Sequence, residues 1–233
     1  MNRIIRLRPR VVFAALLLAA ILAGLRSSPA HADPSLPIVT VPSVYTIDIY
    51  PRQHRLVVKA QGQQVKTYAV AVGNLSTPTP VGEFQVIYKG KDWGPAFGPR
   101  WLGLNVPWGT YGIHGTNRPQ SIGQHQSHGC VRMRNRDVTE LYEMIPVGTK
   151  VTIYGHVLGD PDQNPRSLAE GDIGGDVQLI QTRLRSAGYY KGISDGRFRS
   201  GTTAAVKAFQ RDHRLPVSGV VSRAVYEALG LVE

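Results

Sequence analysis

The hydrophobic period of this chain changes once, and the change calls for two cores of different kinds. From Tyr45 onward the apolar residues fall in short runs: TIDIY, RLVVKA, VKTYAVAVG and GEFQVIYKG. These runs are rich in β-branched and aromatic residues, and turn material such as QGQQ and NLSTPTPVG separates them, so they read as strands. Further short runs follow at Trp101 to Val106 and Tyr111 to His114, and KVTIYG closes the series. One helix interrupts it: Asn135 is placed to cap a segment in which Val138, Leu141, Tyr142 and Ile145 recur at helical spacing. After the polar, Gly-, Pro- and Asp-rich stretch that begins at His156, the period becomes helical. Val177, Ile180 and Leu184 mark one helix, Ala205, Val206 and Phe209 a second, and Val225 and Leu229 a third.

The expected fold is therefore a mostly-β, sandwich- or barrel-like domain with one short helix over residues 44–155, a linker over 156–170, and a small three-helix domain over 171–230. The second and third helices follow similar text, SDGRFRSGTTAAVKAF and VSGVVSRAVYEAL. Each has a Gly turn, an apolar residue and a Ser placed to cap, which makes a weak internal repeat. The chain has one cysteine, so no internal disulfide staples either part, and stability must come from packing.

The first residues, MNRIIRLRPR, are basic without an acid; an apolar run from Val11 to Leu25 follows, and the A-H-A sequence ends at Ala32. That order is the layout of a cleaved signal peptide over residues 1–32, and the run is short for a permanent membrane span of about 20 residues. Export is therefore expected, with no stable membrane insertion after cleavage. Five of the 27 basic residues and none of the 16 acidic ones precede residue 33, so the net charge of +11 falls to +6 in the remainder. A moderately basic exported protein suits an anionic surface or polymer. No basic cluster interleaved with aromatics points to nucleic acid.

The lone Cys130 stands in SHGCVRM. Thiol catalysis needs a thiolate, a base to make it and donors for the oxyanion that forms. His114, sixteen residues upstream, and His128 are the candidate bases, and His128 is also placed to lower the thiol pKa. Gly129 permits a tight turn that aims consecutive N–H groups at a carbonyl oxygen. A small buried apolar Cys is the plain alternative, but the His- and Gly-rich setting does not suit it. Zinc held by His114, His125, His128 and Cys130 lacks the paired ligand spacing, and His125 reads as an exposed loop residue. A papain-like hydrolase has its Cys before its His and at a helix start, the reverse of the order here.

YGIHGT followed by SHGCVRM resembles the signature of the L,D-transpeptidase catalytic domain, the YkuD-type family. STPTPVGEF, FGPRWLGL and RNRDVTELYEMIPVGTKVTIYG extend the likeness over roughly Val44 to Gly155. VQLIQTRLRSAGYYKGISDGRF and TTAAVKAFQRDHRL resemble a peptidoglycan-binding module, over Gly171 to Leu229. The resemblance implies a secreted enzyme of the cell wall or periplasm, acting on peptidoglycan stem peptides and glycan strands without a metal or other cofactor. Cys130 would attack the carbonyl of the third stem residue, expel D-Ala, and pass the acyl group to a second stem as a 3→3 cross-link. It implies His114 as proton acceptor and donor, and the main-chain N–H groups of His128, Gly129 and Cys130 as the oxyanion site. Arg132 would hold the loop or a substrate carboxylate, with Ser127 and Gly115 beside the substrate. Carbapenems would acylate the same thiol. The alternatives are an L,D-carboxypeptidase, in which water resolves the thioester, and a non-catalytic wall-binding protein. The helical module carries no chemistry of its own, so its expected effect is to raise local substrate concentration through a flexible tether. Tyr189 and Tyr190 would stack on sugar or close the small core.

Overall fold

The computed structural model describes residues 44–160 and 163–233. The leader expected over 1–32 lies outside the described residues. Ten strands are formed: β1 (Tyr45–Tyr50), β2 (Arg55–Ala60), β3 (Gln63–Ala69), β4 (Val72–Gly73), β5 (Gly82–Lys91), β6 (Arg100–Leu104), β7 (Tyr111–His114), β8 (His125–Ser127), β9 (Val131–Arg132) and β10 (Lys150–Ile153). Among the described residues four α-helices accompany them: α1 (Asn135–Met144), α2 (Gly175–Ser186), α3 (Ser200–Asp212) and α4 (Arg223–Ala228).

Eight strands join in the order β3-β2-β1-β10-β5-β6-β7-β9, and β4 and β8 form a separate pair. Most neighbours are antiparallel; β1 with β10, β7 with β9 and β4 with β8 are parallel. Ala71, just beyond the edge strand β3, exchanges two backbone hydrogen bonds of 2.9 Å with Arg132 on the opposite edge strand β9. The sheet is thereby curled until its edges meet, which satisfies edge groups that would otherwise be open. Ile47, Ile49, Leu56, Val58, Leu102, Ile113 and Val151 fill the interior, all of them fully buried. Helix α1 closes one side by inserting Val138, Leu141 and the following Ile145. Each such side chain contributes about 1.5–3 kcal/mol relative to exposure.

Asn135 opens α1 as expected but does not cap it. Its Oδ1 instead accepts the Thr116 N–H at 2.8 Å, tying the helix to the strand end that carries His114. Nor do Ser200 and Ser222 cap α3 and α4 through their side chains.

The helical module packs Val177, Ile180 and Leu184 against Phe198, Val206, Phe209, Val225 and Tyr226. Its core reaches back before residue 171. Leu168, in the stretch read as linker, is fully buried and bridges to Val221. Tyr189 and Tyr190 are half-buried against this core, and the Tyr189 hydroxyl donates to Asp212 at 3.0 Å. Among the described residues no helix is long and apolar enough to cross a membrane.

Candidate active site

Cys130 is carried by a tight turn between β8 and β9, and three fixings shape that turn. The fully buried Ser127 donates its hydroxyl to the Cys130 carbonyl at 2.5 Å and accepts the Gly129 N–H at 3.1 Å. Gly129 sits at φ +107°, and a Cβ there would come within 2.6 Å of the Tyr111 ring. No other residue meets both demands. Arg132 donates from Nη1 to the Gln126 carbonyl at 3.1 Å, pinning β8 from the far side of the turn.

The parallel register pairs Ile113 with Val131 and His114 with Arg132. One step back along both strands, Gly112 falls opposite Cys130, and its backbone favours the thiolate. His114 and Cys130 are thus two residues apart on the shared face, about 7 Å along the strands.

His114 is 3 % exposed and held on three sides. Trp101 stacks on it at 5.2 Å and 14°, Phe97 meets it edge-on at 5.2 Å, and Nδ1 lies 2.5 Å from the Gly115 carbonyl. A carbonyl can only accept, so Nδ1 carries the proton and Nε2 keeps its lone pair, the form a general base needs. Burial lowers the His114 pKa to about 4, the Gly115 carbonyl offsetting part of the effect. Burial pushes the Cys130 thiol upward, against the opposing influence of the Gly112 backbone and Arg132. The resting pair at neutral pH is therefore neutral thiol and neutral imidazole, not a preformed ion pair.

Several expected roles change in this geometry. His128 is exposed and is not among the groups acting on the thiol, so it does not lower the Cys130 pKa. The Gly129 N–H is already taken by Ser127, which leaves the His128 and Cys130 N–H groups as the remaining oxyanion candidates. Ser127 and Gly115 are buried and serve the frame rather than a substrate surface: Ser127 shapes the turn, and Gly115 orients His114. A Cβ on Gly115 would meet Asn135 Oδ1 at 2.4 Å. His125 lies on β8 with its ring edge-to-face against His54 at 4.5 Å. Among the described residues no group of three or more His, Cys, Asp and Glu side chains is arranged to hold a metal ion.

Four contributors were missed in the sequence: Phe97, Trp101, Tyr111 and Gly112. Gly112 had a signal, since a glycine inside a strand marks close approach of another backbone. A Cβ there would lie 2.6 Å from the Trp101 ring. The aromatic residues had none, because Phe97 and Trp101 meet at His114, and Tyr111 meets Gly129, across residues distant in sequence.

Comparison with known proteins places this geometry in a family. Residues 44–153 match the family model of the L,D-transpeptidase catalytic domain, and residues 173–229 match that of a putative peptidoglycan binding domain. A putative L,D-transpeptidase of Bacillus subtilis is 43% identical over 147 residues, covering 62% of this chain and 87% of that protein. One from Bacillus licheniformis is 42% identical over 124 residues, covering 49% of this chain and 73% of that protein. A probable L,D-transpeptidase of Escherichia coli is 58% identical over 95 residues, which cover 36% of this chain and 31% of that protein. With a curled sheet that pairs the strand of a buried histidine with the strand that follows its only cysteine, and Bacillus relatives matched over most of their length, this chain belongs to the L,D-transpeptidase family and is an L,D-transpeptidase.

Proposed function

We propose that the protein is exported and forms 3→3 cross-links in peptidoglycan through a thioester on Cys130. The observation that carries this is the pairing of β7 with β9, which sets a buried, Nε2-basic His114 on the face that presents Cys130. In the first half-reaction Sγ attacks the carbonyl of the third stem residue while its proton passes to His114 Nε2. A neutral pair suits this order, because charge appears only when the substrate is there to receive the electrons. The His128 and Cys130 N–H groups stabilise the oxyanion. Collapse of the tetrahedral adduct breaks the amide, and His114 returns the proton to the departing D-Ala amine. In the second half-reaction the side-chain amine of another stem attacks the thioester, gives its proton to His114, and releases the thiol. Arg132 keeps β8 and the cysteine turn in register, with its remaining guanidinium donors available to a substrate carboxylate.

No high-energy phosphate is needed, since the thioester conserves the reactivity of the bond broken. The family and the peptidoglycan-binding match support an extracytoplasmic site of action. Intact-mass measurement after incubation with a disaccharide-tetrapeptide or a carbapenem should find one adduct on the wild type and none on Cys130→Ala. Full turnover by Cys130→Ala would end this mechanism. Product masses then separate transfer from hydrolysis: cross-linked dimers report transpeptidation, whereas tripeptides alone report an L,D-carboxypeptidase.

A further inference from the structure

Trp108 lies in the β6–β7 connection and is 3 % exposed, although no strand or helix of the β domain contains it. The β domain supplies part of its cover, with Phe84 meeting the indole edge to face at 6.3 Å. The helical module supplies the rest. A Cβ at Gly196 would come within 2.6 Å of indole Cε3, and one at Gly175 within 3.6 Å of Cη2. Gly196 is at φ +71°, so both its backbone and the ring require glycine. The module is thus docked by a wedge, not merely tethered.

The contact continues toward the cysteine. Tyr111 stands three residues on in the same connection, at the start of β7, and lies within electrostatic reach of both Cys130 and the module's Arg197. Its ring is the surface that a Cβ on Gly129 would strike. Arg197 itself makes no ion pair among the described residues. The path from module to nucleophile therefore runs from Gly196 to Trp108 by packing, along the short connection to Tyr111, and from the Tyr111 ring to Gly129 and Cys130.

We infer that the helical module is a positioning element of the catalytic centre: through Trp108 it fixes the Tyr111 ring, and through Tyr111 the Gly129 turn that presents Cys130. The inference rests on Cys130 being the nucleophile and adds to the module a role that wall binding does not supply. The Gly129 turn, tied by Ser127 and Arg132, is also packed against the Tyr111 ring and loses that support when the ring loses its backing. A displacement of about 1 Å at a reacting centre costs on the order of a hundredfold in rate.

The test uses the full chain and a soluble disaccharide-tetrapeptide, on which tethering to the wall has no bearing. Trp108→Ala and Gly196→Ala break the same contact from opposite sides, so either one reads the effect if the other fails to fold. Both should lower kcat about tenfold to a hundredfold with KM within about twofold, while binding to insoluble peptidoglycan is kept. They should also change the rate at which iodoacetamide alkylates Cys130. Trp108→Phe, which keeps an apolar wedge without the indole N–H, should recover part of the kcat. A loss of fold alone would lower the active fraction and the wall binding together and leave the alkylation rate of the folded fraction unmoved. If the folded variants turn over the soluble substrate within twofold of wild type while Cys130→Ala is dead, the module is only a tether and the inference falls. Turnover by Cys130→Ala would instead overturn the nucleophile assignment on which it rests.

Discussion

The two cores bury polar side chains in opposite ways. In the helical module Gln181 and Gln210 are fully buried and matched at both ends. Gln181 accepts the Gly196 N–H at 2.8 Å and donates to the Arg197 carbonyl at 3.0 Å. Gln210 repeats this one helix later, accepting from Gly219 at 2.9 Å and donating to Val220 at 2.9 Å. In the β domain His114 is buried and Cys130 partly buried, but each is held in its uncharged form with the ionised form disfavoured. Full pairing locks a group in place; burial without a full set of partners keeps it convertible. The first arrangement builds a fold, and the second stores a proton transfer.

The largest effect should come from removing the convertible group. His114→Ala takes away the base while Gln181→Ala takes away an equally buried amide with no proton to exchange. Loss of a positioned general base typically costs about 10²–10⁴ in rate. His114→Ala should show that loss in kcat/KM on the soluble tetrapeptide even where the protein is fully folded. Gln181→Ala should lose activity only along its melting curve. Equal losses in the two folded variants would erase the distinction.

The next effect is one of pH. The ordinary histidine value of 6.5 falls to about 4 when His114 is buried. Between those values the unfolded chain binds this proton and the folded chain does not, so stability rises with pH across the window and is lost as pH falls through it. A depression of this size corresponds to about 3 kcal/mol. Urea melts at pH 7 and pH 4 should show a fall larger by roughly that amount in wild type than in His114→Gln. The acid limb of kcat/KM should likewise lie near pH 4 and not in the ordinary histidine range, since the base works once Nε2 is free. A limb near pH 6.5 would mean that the resting imidazole is solvated and that the contrast with the glutamines is overdrawn.

The module gives the converse test. Gln210→Leu keeps volume but strands the Gly219 N–H and Val220 carbonyl. An unsatisfied buried group costs about 1–3 kcal/mol, so its melting should fall by that much and show no added dependence on pH between 4 and 7. The repeat read from SDGRF and VSGVV acquires its physical meaning here, because each glycine turn is held by a glutamine from the preceding helix.

How much could be read in advance follows from the range of each interaction. Strands such as RLVVKA over Arg55–Ala60, the helix after Asn135 and the three module helices declare themselves through local periodicity. So does the Cys130 turn, whose Ser, Gly and Cys lie within four consecutive residues, 127–130. The two-residue strands β4 and β9 have too few residues to carry a period, and the Ala71–Arg132 closure joins segments 61 residues apart. Leu168 looked like linker because its partner, Val221, lies in the last turn of the repeat. The direction of the thiol shift was misjudged for the same reason. Adjacent His128 suggested a lowered pKa, but burial by distant strands decides it.

Asn135 puts the smallest number on that lesson. As a cap it would stabilise only α1; as found, its Oδ1 ties α1 to Thr116, two residues beyond His114, and also fills the space between Gly98 and Gly115. Asn135→Ala removes one neutral hydrogen bond worth about 0.5–1.5 kcal/mol. Asn135→Ser separates the two roles, because serine is as good a cap as asparagine but too short to reach the Thr116 N–H. If the anchor is what matters, serine should melt like alanine, and both should raise the exchange rate of the Thr116 amide. If serine melts like wild type, the local reading of the sequence was sufficient and the tie between helix and catalytic strand contributes nothing measurable.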